Sequence, residues 1–418
     1  MTVKQLQINK PRLLPIYLFF FLSKFSIYTP FFALFMHNIK SFDNNQILLL
    51  YSVFSLATFL SEVPSGMLAD KFSEHRMLLI GSILLFLSTL MLAFGDFAVV
   101  FLGEIFFALS TSFFSGTDQS YFYKYYGLHK DYFQNKKISF QDFLGNGLSF
   151  SWLALALSAL LGRYLSIFSS YLPFIGTAII NFVLIFNVLR MENIIVKREN
   201  NYLTIFTKSA NHIFNSQNLK KWIIIGALTS SCIIIGYQML LPYLNELNVA
   251  SSDNGYLIFI ITLFAFFSSR FQGIFRKTNI SDLFIVLLSY LIIALLFLGY
   301  YFTNNFGAVL IISSIYRFTW GLITPYLINK TNSFINEETL RSTIISIQSL
   351  LSSASSAIVL MLLAKAPYTI KVNYVLLCLY VLFLMMLSLV YFKEELLNSF
   401  KKKRINNVID LRIKKAKD

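Results

Sequence analysis

The sequence predicts an all-α integral membrane protein whose twelve transmembrane helices form two pseudo-symmetric six-helix bundles. Three observations lead to this fold class: the composition of the chain, the spacing of its apolar segments, and a weak similarity between its two halves. Of the 418 residues, 56% are hydrophobic and only 13% are charged, whereas soluble proteins are about 25% charged. A water-soluble domain could not bury so much apolar surface, so we expect lipid to be the solvent for most of the chain.

Twelve segments are apolar enough to cross the hydrocarbon core as helices, which takes about 20 residues each. Numbered in chain order as spans 1 to 12, they cover residues 13–36, 45–69, 77–95, 98–121, 141–168, 171–189, 222–245, 254–275, 281–302, 306–329, 341–364 and 372–392. The first segment is too long for the core of a signal peptide, and no small-residue cleavage site follows it. We therefore expect it to remain as a spanning helix.

The basic residues are distributed asymmetrically between the two sides of the predicted membrane. If the N-terminus is cytoplasmic, 28 of the 35 Lys and Arg residues fall in cytoplasmic segments, three in outer loops and four inside spans. An excess of basic residues marks the cytoplasmic side, so both termini are predicted to be cytoplasmic. This asymmetry also accounts for the net charge of +15, and it makes anionic lipid, and not nucleic acid, the expected partner of the basic tail at residues 393–418.

The longest polar stretch between spans predicts how the chain is divided. Residues 191–221 are expected to form a cytoplasmic linker between an N-terminal bundle at 1–190 and a C-terminal bundle at 222–392. Similar residues recur in equivalent spans of the two halves at nearly constant offsets: Pro30 with Pro242 at 212, Gly116 and Tyr121 with Gly321 and Tyr326 at 205, and Gln141 with Gln348 at 207. Together these matches favour a duplicated six-helix unit, as is found in secondary transporters.

A motif of small and acidic residues lies where span 2 meets the cytoplasm. It reads Gly66-Met67-Leu68-Ala69-Asp70-Lys71. Gly66 and Ala69 are small enough for a neighbouring helix to approach closely. Asp70 lies where it could face the positive N-terminal end of another helix. Such a contact would hold the two halves together on the inner side.

This motif resembles the signature loop of the major facilitator superfamily, GxLADRxGRK. The preceding Glu-x-Pro-x-Gly, which begins at Glu62, is similar to a branch of bacterial efflux-type members, and residues 115–123 resemble the end of span 4 in that branch. With the pattern of spans, the resemblance covers essentially the whole chain. It implies a transporter that works by alternating access in the cytoplasmic (inner) membrane of a bacterium.

The chain also departs from that signature. Ser73 replaces the second Gly, and Glu74 replaces the basic residue that follows it. Arg76 is then the candidate partner of Asp70 or Asp118. We expect a conformational switch built from Gly66, Asp70, Lys71, Arg76 and Asp118. The resemblance favours export. Span 5 lacks the Gly-Pro pair of many antiporters of the superfamily, however, so export is not established by it.

Two cations and several phenols lie inside the predicted spans. Lys24 and Arg317 fall near the membrane midplane in opposite halves, where each costs about 2.5 to 3.5 kcal/mol to insert. We expect them to bind substrate in one shared cavity; the alternative is a structural ion pair with a nearby carboxylate. A phenol within a span needs a hydrogen-bond partner, so the further candidates for lining the cavity are Tyr28, Tyr121, Tyr237, Tyr316 and Tyr326.

Glu62 and Glu104 are the deepest acids in the spans. The four histidines lie in loops or at the ends of spans, so proton coupling would fall to these carboxylates. The alternative for each is a structural bridge to a neighbouring helix.

The leading hypothesis is a secondary active transporter that exports a small amphiphilic compound, a drug or secreted metabolite, in exchange for protons. The alternative is uptake of an anionic or zwitterionic nutrient, peptide or siderophore. A polytopic membrane enzyme is more distant, because no reactive cluster or phosphate-binding loop is present. We expect a monomer with no catalytic residue, no cofactor and no metal site, whose partners are the small-molecule substrate, protons and membrane lipid.

Overall fold

The computed structural model describes residues 11–194, 201–240, 243–244, 247, 251–271, 281–365 and 370–392. Within these ranges all regular secondary structure is helical, and nine of the described helical segments are long and apolar enough to cross a membrane. The predicted all-α membrane class is therefore confirmed. The predicted basic tail at 393–418 lies outside the described residues. We call the ends of the spans that the charge distribution assigns to the cytoplasm the inner ends.

The helices follow the predicted spans in order. Span 1 consists of Leu13–Leu22, a short 3-10 turn at Thr29–Phe31, and Phe32–Asn38, and span 4 consists of Phe97–Phe114 and Thr117–Leu128. The other spans are single helices: Asn44–Lys71, Glu74–Phe94, Phe140–Phe168, Leu172–Leu189, Gln217–Gln238, Ser251–Phe271, Asp282–Phe302, Phe306–Ser333, Arg341–Lys365 and Ile370–Tyr391. Two shorter helices, Lys130–Asn135 and Tyr202–Asn215, lie between spans on the inner side.

Side-chain caps begin many of these helices where the chain enters the membrane. The Asp43 carboxylate accepts from the backbone N–H of Gln46, whose side chain in turn accepts from the backbone of Asp43, and Ser139 and Asp142 form the same capping box at span 5. Because the first N–H groups of a helix have no partner within it, such caps stabilise the start of a helix by about 1 kcal/mol each. The capping residues thus mark where these spans begin.

Span 1 is broken near the membrane midplane, which corrects the continuous helix predicted at 13–36. The helix ends at Leu22 and a new one begins at Phe32. Two neighbouring spans contact the backbone at the break. Ile27 N donates to Thr177 Oγ1 at 3.0 Å. Gly162 lets span 5 approach closely, because a Cβ there would lie only 2.5 Å from the Ile27 carbonyl oxygen. A hydropathy window cannot detect this break, because spans 5 and 6 supply the contacts that permit it.

Span 4 bends at Ser115 and Gly116 instead of continuing as the single predicted helix. Gly116 has a φ of +73°, which favours glycine. A Cβ there would also lie 2.9 Å from Ser346 Oγ in span 11. By contrast, Pro64 and Pro325 lie inside unbroken helices. A proline inside a span is therefore not sufficient to break it, although Pro30 does lie in the 3-10 turn at the break of span 1.

The two halves have separate hydrophobic cores. One large cluster runs from Trp222 to Phe392, and three others are built on buried residues of the N-terminal half. The halves meet along spans 2 and 11 and along spans 5 and 8, which are pseudo-symmetric pairs. An ion pair also recurs: the buried pair of Glu74 with Lys124 in one half corresponds to the partly exposed pair of Asp282 with Lys330 in the other. This repetition agrees with a duplicated six-helix unit.

The helix Tyr202–Asn215 of the predicted linker covers the inner ends of both halves. It contacts spans 2, 7 and 11. Its buried Ile205 and Ile213 belong to one cluster with Leu219, Leu340 and Ile344. The linker therefore packs on the same inner surface at which spans 2 and 11 meet.

Candidate functional site

A cavity of about 360 Å³ lies in the N-terminal half beside the break in span 1. This volume is at the small end of the range of ligand pockets. Residues of spans 1, 3, 4, 5 and 6 line it, and the polar ones include Lys24, Ser26, Asp118, Gln119, Thr177 and Asn181. Irregular backbone at membrane depth is tolerated where it lines a polar cavity. The cavity therefore accounts for the presence of non-helical backbone within span 1.

Lys24 of span 1 and Asp118 of span 4 both line this cavity. Lys24 follows the first helix of span 1 and is exposed. Asp118 lies in the first turn of the second helix of span 4, where its Oδ1 accepts from Gln119 N at 2.6 Å. Within the described residues, neither side chain has an ion-pair partner at 4 Å or less. Two opposite charges thus face one cavity without contacting each other.

Tyr28 completes the apolar wall of the cavity. It is buried and stacks on Phe174 with ring centroids 4.6 Å apart. Its hydroxyl has no hydrogen-bond partner in the part of the chain that the structure describes. Of the five predicted phenols, Tyr28 is the one among the lining residues of this cavity.

Arg317 lies in an aromatic cage between the two halves. It is 4% exposed, and its Cζ lies 3.8 Å from the ring centroid of Tyr237, 4.5 Å from that of Trp320 and 5.5 Å from that of Trp152. Trp152 belongs to span 5 and contacts Trp320 edge to face at 4.9 Å. Among the described residues no carboxylate pairs with this guanidinium, so the aromatic faces compensate its charge.

The two midplane cations therefore have different surroundings. Lys24 lines the cavity at the span 1 break, whereas Arg317 is absent from the lining of that cavity. The expectation that both face one shared cavity is not met in this structure. The reason is the aromatic side chains of spans 5, 7 and 10, which enclose Arg317 on its own.

Three of the predicted phenols hold helices together. The hydroxyl of Tyr316 donates to Ile233 O at 2.7 Å, that of Tyr121 to Glu192 O at 2.8 Å, and that of Tyr326 to Asp282 Oδ1 at 2.6 Å. A buried phenol does find a partner, as expected, but these partners lie in neighbouring helices or in the linker. Tyr121, Tyr316 and Tyr326 do not line the cavity beside span 1.

Asp70 joins the inner ends of spans 2 and 11. Its buried carboxylate accepts from Ser342 N at 3.1 Å, from Thr343 N at 2.8 Å and from Thr343 Oγ1 at 2.8 Å. These donors form the N-terminus of span 11, where the helix dipole favours an anion. One turn earlier, a Cβ on Gly66 would come within 2.6 Å of Ser346 Oγ. Small residues and one carboxylate thus close the inner side between the halves.

The departures from the signature have their own partners. Glu74 forms a buried ion pair with Lys124 and accepts from Ser120 Oγ at 3.3 Å. Arg76 is exposed, and its backbone N–H donates to Ser73 Oγ at 3.0 Å. The expected pairing of Arg76 with Asp70 or Asp118 is not formed, because the amides of span 11 supply the donors to Asp70. The Lys71 ammonium lies 5.4 Å from the ring centroid of Phe72.

Arg341 is a buried residue of the inner side that the sequence reasoning missed. Its guanidinium donates to Asn332 O at 2.8 Å and to Ile335 O at 2.9 Å, and its Cζ lies 3.9 Å above the ring centroid of Tyr123 in the other half. The available signal was its place as the first residue of span 11, directly before the amides that bind Asp70.

The two deep carboxylates differ in their surroundings. Glu62 is 4% exposed, its Oε1 accepts from Ser115 Oγ at 3.1 Å, and its Oε2 has no partner within the described residues. Ser115 Oγ also lies 2.9 Å from Ser349 Oγ in span 11. Glu104 is equally buried in the outer part of span 4. Glu62 thus adjoins the contact between the halves, and Glu104 lies away from it.

Three solved structures have a similar fold. The human organic anion transporter MFSD10 (TETRAN) matches with a TM-score of 0.67 at 13% identity, covering 91% of this chain and 100% of that chain. A point mutant of the nucleoside transporter NupG matches with a TM-score of 0.63 at 13% identity, over 91% and 99% of the two chains. FucP, a Major Facilitator Superfamily transporter in the outward conformation, matches with a TM-score of 0.65 at 14% identity, over 90% and 98%. At these identities the likeness concerns the fold alone.

No curated protein matches the sequence significantly. A family model does: the one described as Major Facilitator Superfamily matches residues 13–360. That match includes the motif at the end of span 2, the cavity residues, spans 1 to 10 and most of span 11. The chain therefore belongs to the Major Facilitator Superfamily, whose members are transporters.

Proposed function

We propose that this transporter exports a small amphiphilic compound across a bacterial cytoplasmic membrane in exchange for protons. Both termini are proposed to be cytoplasmic, on the charge asymmetry of the loops. A reporter fused after Asp418 that is active only outside the cell would contradict this orientation. Transport without an enzymatic step is what membership in the family supports.

The observation that carries proton coupling is the position of Glu62 at the inner contact. Its carboxyl is buried with one oxygen unpartnered among the described residues, and Ser115 links it towards Ser349 in span 11. An unpaired carboxylate at membrane depth is costly, so the closed arrangement favours a bound proton. Separation of span 11 from spans 2 and 4 would hydrate Glu62 and release that proton to the cytoplasm.

Asp70 is proposed to act on switching and not on the ligand. It is at the inner end of span 2, away from the cavity beside span 1, and it binds the first amides of span 11. Opening the inner side must break these hydrogen bonds. The order of events is then inner opening, proton release from Glu62 and entry of the substrate from the cytoplasm.

A second candidate function is uptake of an anionic or zwitterionic nutrient. The observation that favours it is the exposed ammonium of Lys24 in the cavity. An ammonium binds a carboxylate well, and the apolar wall of the cavity suits an amphiphilic drug no better. The direction of net transport separates the two candidates.

The test is reconstitution of the protein in liposomes that contain a pH dye, with candidate compounds added on one side. We expect one compound to drive proton movement in the opposite direction, and Glu62→Gln to abolish this coupling while exchange of the compound continues. Asp131→Asn, which changes an exposed acid of the short inner helix Lys130–Asn135, is the matched control. If Glu62→Gln, Glu104→Gln and the double variant all still transport against a gradient on protons, proton coupling through these acids is excluded.

A further inference from the structure

We propose that the cavity at the break in span 1 binds a small zwitterion with an apolar side chain, held between Lys24 and Asp118. This inference rests on the proposed transport function and names the class of substrate. It concerns a site lined by residues of the N-terminal half, including residues of spans 3 and 6.

The first argument is the separation of two opposite charges in one cavity. Lys24 and Asp118 both line it, yet no ion pair of 4 Å or less joins them in the described structure. An ammonium and a carboxylate that line one protein cavity attract each other more strongly than they would in bulk water. A ligand with its own carboxylate and ammonium would satisfy both side chains at once, whereas an anion or a cation alone would leave one of them unpaired.

The second argument is the backbone of the break. The carbonyl oxygens of Phe25 and Ser26 accept no backbone hydrogen bond within the described residues. Acceptors of this kind at membrane depth need donors, and a ligand ammonium supplies up to three. The buried hydroxyl of Tyr28, which has no partner in the described part of the chain, adds a donor that suits a carboxylate.

The third argument is the size and apolar character of the rest of the wall. The cavity of about 360 Å³ is also lined by Phe25, Phe107, Phe114 and Leu155. Towards the inner side, Phe20 and Phe122 stack with ring centroids 4.2 Å apart. The ligand is therefore small, and its side chain is apolar or aromatic.

The test measures binding to the purified full-length protein in lipid nanodiscs by thermal unfolding. The probes are phenylalanine, its N-acetyl derivative and its methyl ester, which share a side chain and differ in charge, with leucine as a second zwitterion. We expect at least one of the two zwitterions, at about 10 mM, to raise the unfolding temperature. Phenylalanine should bind at least about tenfold more tightly than either derivative, because each derivative loses one charge-assisted hydrogen bond.

Variants that remove the charge of Lys24 or Asp118 show which end of the ligand each side chain binds. Lys24→Gln should weaken the binding of phenylalanine at least about tenfold and leave the affinity for the methyl ester nearly unchanged. Asp118→Asn should weaken the binding of phenylalanine to the same extent and leave the affinity for the N-acetyl derivative nearly unchanged. Lys24→Arg keeps the charge and should retain binding. Where a variant unfolds, Ser23→Cys provides a second measurement: phenylalanine should slow labelling of that thiol several-fold, against a background of two buried native cysteines.

Three results would overturn the proposal. These are no stabilisation by phenylalanine or leucine, equal affinity for the zwitterion and both derivatives, or unchanged affinity in both charge-neutral variants. Because binding is measured without any gradient, export without zwitterion binding refutes this inference alone. Zwitterion binding without proton-dependent export refutes the proposed coupling alone.

Discussion

Replacing Asp70 by asparagine should open the inner side of the protein. The carboxylate accepts three hydrogen bonds from the first residues of span 11, at 3.1, 2.8 and 2.8 Å. Asparagine keeps one carbonyl oxygen, and its NH₂ group would face a backbone N–H that also needs an acceptor. At least one of the two backbone hydrogen bonds is therefore lost, and the interaction with the helix dipole is lost with the charge.

The size of the effect follows from the burial of this contact. A hydrogen bond to a charged group contributes about 1.5 to 3 kcal/mol, but the asparagine variant also avoids the cost of desolvating a carboxylate. We take about 2 kcal/mol as the net loss for the closed arrangement, which shifts the ratio of closed to open molecules by about 30-fold. Transport should fall, while substrate affinity stays within a few-fold, because Asp70 does not line the cavity.

The assay is a distance measurement between spin labels on the inner side. Phe72→Cys and Glu337→Cys place labels at two exposed positions, one after span 2 and one before span 11, and the native cysteines are buried. Asp70→Asn should add a population at longer distance, whereas Asp131→Asn should leave the distribution unchanged. An unaltered distribution in Asp70→Asn, or loss of substrate binding with normal switching, would refute the reasoning.

Two further predictions concern buried residues close to the contact between the halves. Gly116→Ala combines a φ of +73° with a Cβ only 2.9 Å from Ser346 Oγ, so it should lower the free energy of unfolding by about 1 to 3 kcal/mol. Gly127→Ala, which meets nothing within 4 Å, should be neutral or stabilising in the same thermal unfolding assay; equal losses would contradict the argument. Arg317→Lys keeps the charge but loses the planar stacking on Tyr237 at 3.8 Å and should cost about 1 to 2 kcal/mol. An unchanged unfolding temperature would show that the stacking contributes nothing.

The wrong expectations share a physical cause. The continuous span 1 was predicted from hydropathy, which is a property of each segment, but the break depends on Thr177 as a donor-acceptor partner and on Gly162 as a residue without a side chain. Likewise, the sequence favours nearby basic residues such as Arg76 as partners of Asp70. The actual donors are 272 and 273 residues away in the sequence.

The sequence by itself determined the membrane class, the order of the spans and the likeness of the halves. It could do so because lipid offers no hydrogen bonds, so each span must satisfy its own backbone as a helix and display its apolar character locally. Tertiary structure alone decided that Lys24 and Asp118 line one cavity and that aromatic rings enclose Arg317. These outcomes depend on which side chains meet between helices, because a buried charge or an interrupted backbone is stable only where distant residues supply its partners.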